Sequence, residues 1–176
     1  MRVVIVLIAA IVAGAGPTLA TVESATVQVD GLTCPFCAYG LEKQLKKLDG
    51  VEAVKIEVDA GEVTLLLAKG FRLTDPKQPD HGLVMAVRKA VEAGGFTPRH
   101  LRVIVSGNLE TKGDTTALVV SGTAERITLD INAIEPAPGE GPVRVDGVIG
   151  DDVQRPVLEI RRLLGPKSGN GQKDGS

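Results

Sequence analysis

The chain has 176 residues, 24% of them charged, and a formal net charge of −2. That charge, with 2% aromatic residues overall and no basic stripe in the second half, excludes a nucleic-acid binder, which needs an electrostatic footprint and stacking surfaces. Its two cysteines, Cys34 and Cys37, cannot form a disulfide framework, because a bridge over so short a loop would constrain little of the unfolded chain.

Met1-Arg2 precedes an aliphatic run from Val3 to Ala13 and then Gly14-Ala15-Gly16-Pro17-Thr18-Leu19-Ala20. This is the layout of a secretory signal peptide over residues 1–20, with cleavage expected after Ala20 and Ala15 as a second site; its apolar core is too short to span a bilayer comfortably, and an uncleaved anchor is the alternative. The expected mature protein is exported, most simply to a bacterial periplasm, with no stable membrane span. An oxidising compartment turns spare thiols into disulfides, so the thiol pair there has to be loaded, reduced or protected.

Both cysteines fall in Gly31-Leu32-Thr33-Cys34-Pro35-Phe36-Cys37, where a strand turns into a helix. Two intervening residues let the sulfurs converge on one ion. Cys37 belongs in the first helical turn, where free N–H groups and the helix dipole favour thiolate, so both thiols are expected to ionise easily. Thiolate selects soft cations, and Cu(I) or Hg(II) accepts two sulfurs alone, whereas Zn(II) requires four ligands. His81, His100 and Met85 are the other soft or borderline donors of the mature chain. The expected site is a two-coordinate dithiolate holding one ion per chain. Cys-Pro-Phe-Cys is also close to the Cys-Pro-Tyr-Cys of glutaredoxins, which keeps thiol–disulfide exchange, with Cys34 as the more exposed sulfur, as an alternative.

The first helix is expected from Pro35 to Leu48, with Cys37, Leu41, Leu45 and Leu48 at helical spacing and Lys43, Lys46 and Lys47 turned outward. Strands follow over Val51–Val58 and Glu62–Ala68 around the hairpin signal Asp59-Ala60-Gly61. The segment Gly70 to Asp80 reads as a surface loop, with Asp80 a candidate N-cap for a second helix over Leu83–Ala93 that stops at Gly94-Gly95. A fourth strand begins at Thr97. This order is the split βαβ arrangement of an α+β, ferredoxin-like βαββαβ sandwich. It places the cysteine loop, the Asp59-Ala60-Gly61 turn and Gly94-Gly95-Phe96 at one end, with His81 at the other. Arg99 and His100 enter the last strand near the thiols, where a cation could offset bis-thiolate charge. Phe36 and Tyr39 flank the thiols; either could dock a partner, and Tyr39 is assigned to the core.

Over about Thr26 to Leu101 the chain resembles the heavy-metal-associated domain of copper chaperones, metal-transporting P-type ATPase tails and periplasmic mercury-binding proteins. The likeness rests on Gly31-Leu32-Thr33-Cys34-Pro35-Phe36-Cys37, the helix ending at Leu48-Asp49-Gly50-Val51, the valine-rich strand, and the helix closing on Ala93-Gly94-Gly95-Phe96. Leu32 stands where that family usually has methionine, a residue the resemblance implies is packed beneath the loop, so the swap should cost little. The resemblance implies that Cys34 and Cys37 are the metal ligands, with Thr33, Phe36 and Phe96 as candidate neighbours of the ion. Phe96 has two readings, a shield over the ion or a core residue after a helix stop.

From Leu101 the pattern changes to short strands: Val103–Leu109, Ala117–Ser121, Arg126–Ile131, Val143–Val148 and Val157–Ile160. These suggest a small all-β module, OB-like by analogy, over 102–164 after a metal-binding domain at 21–101. No Cys, His or Met follows His100, so this half holds no second soft-metal site, and its acidic residues form no recognisable calcium loop. Residues 165–176 read as a disordered tail. The expected function is a non-enzymatic, exported carrier that exchanges a thiophilic cation with a donor or acceptor protein, for example a membrane transporter. A metal-responsive adaptor acting through the β-rich half is a further alternative.

Overall fold

The computed structural model describes residues 22–68, 71–74, 82–113, 115–120, 123, 125–130, 141–150 and 157–164. The signal-peptide segment, Asp80, His81 and the 165–176 tail lie outside the described residues, as does most of the Gly70 to Asp80 segment. In chain order the elements are β1 (Val22–Asp30), α1 (Pro35–Leu45), β2 (Val51–Glu57), β3 (Glu62–Leu67), α2 (Leu83–Ala93), β4 (Thr97–Lys112), β5 (Thr115–Val120), β6 (Glu125–Asp130), β7 (Gly141–Ile149) and β8 (Val157–Leu164). No helix among the described residues is long and apolar enough to cross a membrane.

Proline at the first position of α1 suits a turn whose N–H groups have no intrahelical partner. The helix buries Ala38, Leu41 and Leu45. It stops at Leu45, earlier than the expected Leu48, because the chain tightens there: the Leu48 N–H bonds the Leu45 carbonyl, and Gly50 at φ +80 turns the backbone into β2. Leu48 still packs against the core from outside the helix. On α2, Leu83, Val84, Val87, Ala90 and Val91 form the buried stripe.

The first six elements make the expected ferredoxin-like α+β arrangement, with antiparallel strands in the order β2-β3-β1-β4. Val63 and Leu65 of β3, Ala25 and Val27 of β1, and Leu101 and Val103 of β4 lie in register, and all six are buried in one core with Leu41, Leu45, Val87 and Val91 of the helices.

The fourth strand departs from expectation. A strand beginning at Thr97 and another at Val103 are one continuous element, β4, and the expected boundary between residues 101 and 102 falls inside it. Nothing in Leu101-Arg102-Val103-Ile104-Val105 signals a turn, and alternate residues Leu101, Val103 and Val105 are buried. The first part of β4 pairs with β1, its end pairs with β5, and β7 pairs along Leu101 to Leu109. Through β5–β6, the parallel β6–β8 pair, β8–β7 and β7–β4, five strands close a ring that includes β4. Its interior residues Leu109, Leu118, Ile127, Val145, Leu158 and Ile160 belong to the same apolar cluster as the helices. Gly107 and Gly147 permit close strand approach: a Cβ on either would lie 2.7 Å from the backbone oxygen of Val119 or Glu159.

Polar groups join the two parts. Glu23 of β1 accepts from Arg144 of β7 through both oxygens, at 2.9 and 2.8 Å, and from the Ser106 hydroxyl of β4 at 2.7 Å. Arg102 of β4 donates through Nε and Nη2 to the two oxygens of Asp146 of β7, and this pairing holds the Asp146 carboxyl below the usual carboxylate range. Glu125, buried at the start of β6, accepts from the Leu73 N–H at 2.9 Å and from the N–H and hydroxyl of Thr74, both at 2.7 Å. The carbonyls of Arg72 and Leu73 in turn accept from the N–H groups of Leu83 and Val84, the first residues of α2.

Candidate metal centre

Cys34 occupies the N-cap of α1 with extended backbone (φ −130, ψ 127), and its carbonyl accepts from the Ala38 N–H at 3.0 Å. Pro35 then fixes the entry angle, which brings Cys37 back beside Cys34 in the first turn. Both are free thiols, Cys34 half-buried and Cys37 exposed.

The two side chains hydrogen-bond to each other, and that bond decides their order of ionisation. Cys34 is lowered first by the bond from Cys37 and further by the backbone N–H groups of Cys37 and Phe36. Cys37 is raised by the same side-chain bond, then by burial and by the neighbouring Cys34 charge. The expectation that both thiols ionise easily is therefore corrected: the two are unequal, with Cys34 the easier to ionise and Cys37 the harder. Cys37 is also the more exposed sulfur, the reverse of the expected order. It does not share the buried stripe of α1, because the inward direction passes through Ala38, Leu41 and Leu45.

The loop is held from several sides. Leu32 is buried beneath it. The Gln28 amide donates to the Ala60 carbonyl at 2.7 Å, and the Val29 N–H donates to Gly61 at 2.8 Å, tying the 58–61 turn to the end of β1. A Cβ on Gly31, where φ is +85, would sit 3.8 Å from the Phe96 ring; one on Gly94 would sit 3.1 Å from the same ring and 3.4 Å from Leu41. The cysteine loop, the hairpin turn and the 94–96 connection thus share one end. Phe96 packs against the core under the root of the loop.

Thr33 is exposed, its N–H donating to the Gly31 carbonyl at 3.0 Å. Phe36 is 88% exposed and Tyr39 63% exposed. The assignment of Tyr39 to the core is corrected: it follows Ala38 by about 100° of helical rotation, which turns it off the buried stripe. Its ring instead lies under the Lys43 ammonium, 5.8 Å from centroid to nitrogen.

Arg99 does not offer a spare cation to the thiols. Its Nε and Nη2 converge on Asp30 Oδ2 at 2.7 and 2.5 Å. Sequence inspection missed Asp30, which only the pairing of the end of β1 with the start of β4 brings to Arg99. His100 is exposed on β4. Among the described residues, no group of three or more His, Cys, Asp and Glu side chains could hold a metal. The donor set at this end is two sulfurs, which fits a soft ion of low coordination number better than tetrahedral zinc.

Residues 26–97 match the heavy-metal-associated domain. The chain is similar to heavy metal-associated isoprenylated plant protein 31 of Arabidopsis thaliana, 39% identical over 75 residues that cover 43% of this chain and 48% of the relative. It is also similar to copper chaperone CopZ of Bacillus subtilis, 42% identical over 41 residues, 23% of this chain and 59% of the relative. The chain thus spans about half the length of the curated relatives it matches. Among solved structures, a CopZ metallochaperone aligns over 44% of this chain and 100% of its own at 21% identity, with a TM-score of 0.35. A copper-binding domain of a P-type ATPase aligns over 44% and 90% at 19% identity, also at 0.35. Over residues 26–97, this chain carries a heavy-metal-associated domain.

Proposed function

We propose that Cys34 and Cys37 chelate one thiophilic cation, Cu(I) or Hg(II), and that the chain passes it to or takes it from another protein by thiolate exchange in an exported compartment. The observation that carries this reading is the pair of free, hydrogen-bonded thiols at the start of α1, inside the matched segment. The named relatives include a copper chaperone, which supports copper over mercury as cargo.

The chemistry follows from the asymmetry of the sulfurs. Cys34 gives up its proton more readily than Cys37, and because a soft cation binds the thiolates, loading displaces thiol protons and affinity falls as pH is lowered. Transfer needs an incoming thiolate to reach the ion, and the exposed position of Cys37 gives a partner that approach. Phe36 and Tyr39 form an apolar rim beside it on which a donor or acceptor, such as the soluble domain of a membrane transporter, would rest. This is binding and exchange rather than enzymatic turnover.

The test is native mass spectrometry of the mature protein, kept reduced and anaerobic and offered Cu(I), Hg(II) and Zn(II) in competition, with free thiols counted afterwards. One Cu(I) or Hg(II) per chain with both thiols blocked is the expected result. No uptake, together with a readily reversible Cys34–Cys37 disulfide, would move the protein to the thiol–disulfide oxidoreductases.

A further inference from the structure

We infer that Arg99 is a positioning residue for the thiol loop: by holding Asp30 it fixes the root from which Gly31 to Cys34 depart, and so sets how firmly the loop keeps its ion. The inference rests on the metal-binding reading above. Asp30 is the last residue of β1, and Asp30 with Thr97 is the final pair of the β1–β4 ladder. That ladder is irregular here, with a register shift between Val27 and Val29. The backbone then leaves the sheet through Gly31 in the left-handed region.

On the β3 side, the root is held by Gln28 to Ala60 and Val29 to Gly61. From within, it rests on Phe96 and the buried Leu32. On the β4 side, where the ladder falters, two guanidinium nitrogens on one carboxylate oxygen do the holding. Both side chains are about half exposed, so the pair adds little to global stability. Its effect belongs to the segment it ties down.

Position and charge make opposite predictions for Asp30. If Arg99 acts by holding the root, loss of either partner loosens the loop. If it acted as a cation on the thiolates, Asp30→Asn would release it and tighten binding. The experiment uses the full mature chain with Arg99→Gln, Asp30→Asn and the charge-swapped double variant Asp30→Arg/Arg99→Asp. Amide hydrogen exchange at residues 31–34 is read without metal, and Cu(I) affinity by competition with a chromophoric chelator. Each single variant is expected to speed loop exchange and weaken Cu(I) binding by about two- to fivefold, and the swap to recover much of both. Unchanged exchange and affinity in both single variants, or tighter binding by Asp30→Asn, would overturn the inference. A wild-type chain that takes up no Cu(I), with loop exchange still responding to Arg99→Gln, would overturn the metal reading and leave the positioning role standing.

Discussion

Two clusters of polar and reactive groups sit on this sheet, and they are treated in opposite ways. At the junction of β1, β4 and β7 and at the start of β6, the carboxylates of Glu23, Asp146 and Glu125 are withdrawn from solvent and bonded through both oxygens. At the thiol end, Cys37, Phe36 and Tyr39 stand in solvent, and the bonds beneath them tie down backbone rather than the sulfurs. A buried charge whose partners are all in place makes one arrangement of strands much better than its neighbours, because any slip strands it. A group meant for ligand exchange has to stay reachable. The first region holds architecture, and the second is carried on it.

The sharpest way to break the first region is Glu125→Ala. It leaves the N–H groups of Leu73 and Thr74 and the Thr74 hydroxyl without their acceptor in a buried place, and is expected to cost about 2–4 kcal/mol by urea unfolding. Because residues 72 and 73 also receive the first N–H groups of α2, hydrogen exchange at Leu83 and Val84 should rise with it. Gly107→Ala comes next, at about 1–3 kcal/mol, since its Cβ would press on the Val119 carbonyl, which is backbone and cannot rotate away.

Acid should act on the same region. The Asp146 carboxyl is lowered by Arg102, so the stability it contributes is fully present above the ordinary unfolded value and is lost as pH falls through the folded one. Arg102→Met should therefore flatten the acid limb of the stability profile, measured by unfolding at stepped pH below the usual carboxylate range. The smallest effect on stability is expected at the other end. Cys34→Ser/Cys37→Ser should shift unfolding by no more than about 0.5 kcal/mol, because partly or fully exposed sulfurs contribute little packing. The same variant should lose stoichiometric Cu(I) binding in the native mass spectrum. Tight binding retained by that variant would defeat the proposed function, and a large loss of stability would erase the contrast between the two regions.

Much of the scaffold under the thiol end was legible because its signals are local. Pro35 starts a helix wherever it appears at such a position, Leu41 and Leu45 recur at the helical period, and Asp59-Ala60-Gly61 makes a hairpin from its own backbone preferences. The thiol pair was visible for the same reason, since the chemistry lies in four consecutive residues. Tyr39 misled because an aromatic suggests burial, while its helical angle sends it outward.

What the chain determined by itself was therefore the set of short elements and the identity of the candidate ligands, through periodicities of two and 3.6 residues and through turn-forming dipeptides. Only the tertiary structure decided that β4 runs unbroken from the thiol end into the five-stranded ring, that β7 covers its second edge, and that Glu125 reaches segment 71–74. Tertiary contact also decided that Arg99 belongs to Asp30, and close approach within the loop decided that Cys34 ionises before Cys37. The physical reason is the same in most of these cases. Strand pairing and carboxylate–donor contacts join residues tens of positions apart, where no local pattern encodes the partner, and the ionisation of a thiol is set by whatever the fold brings against it.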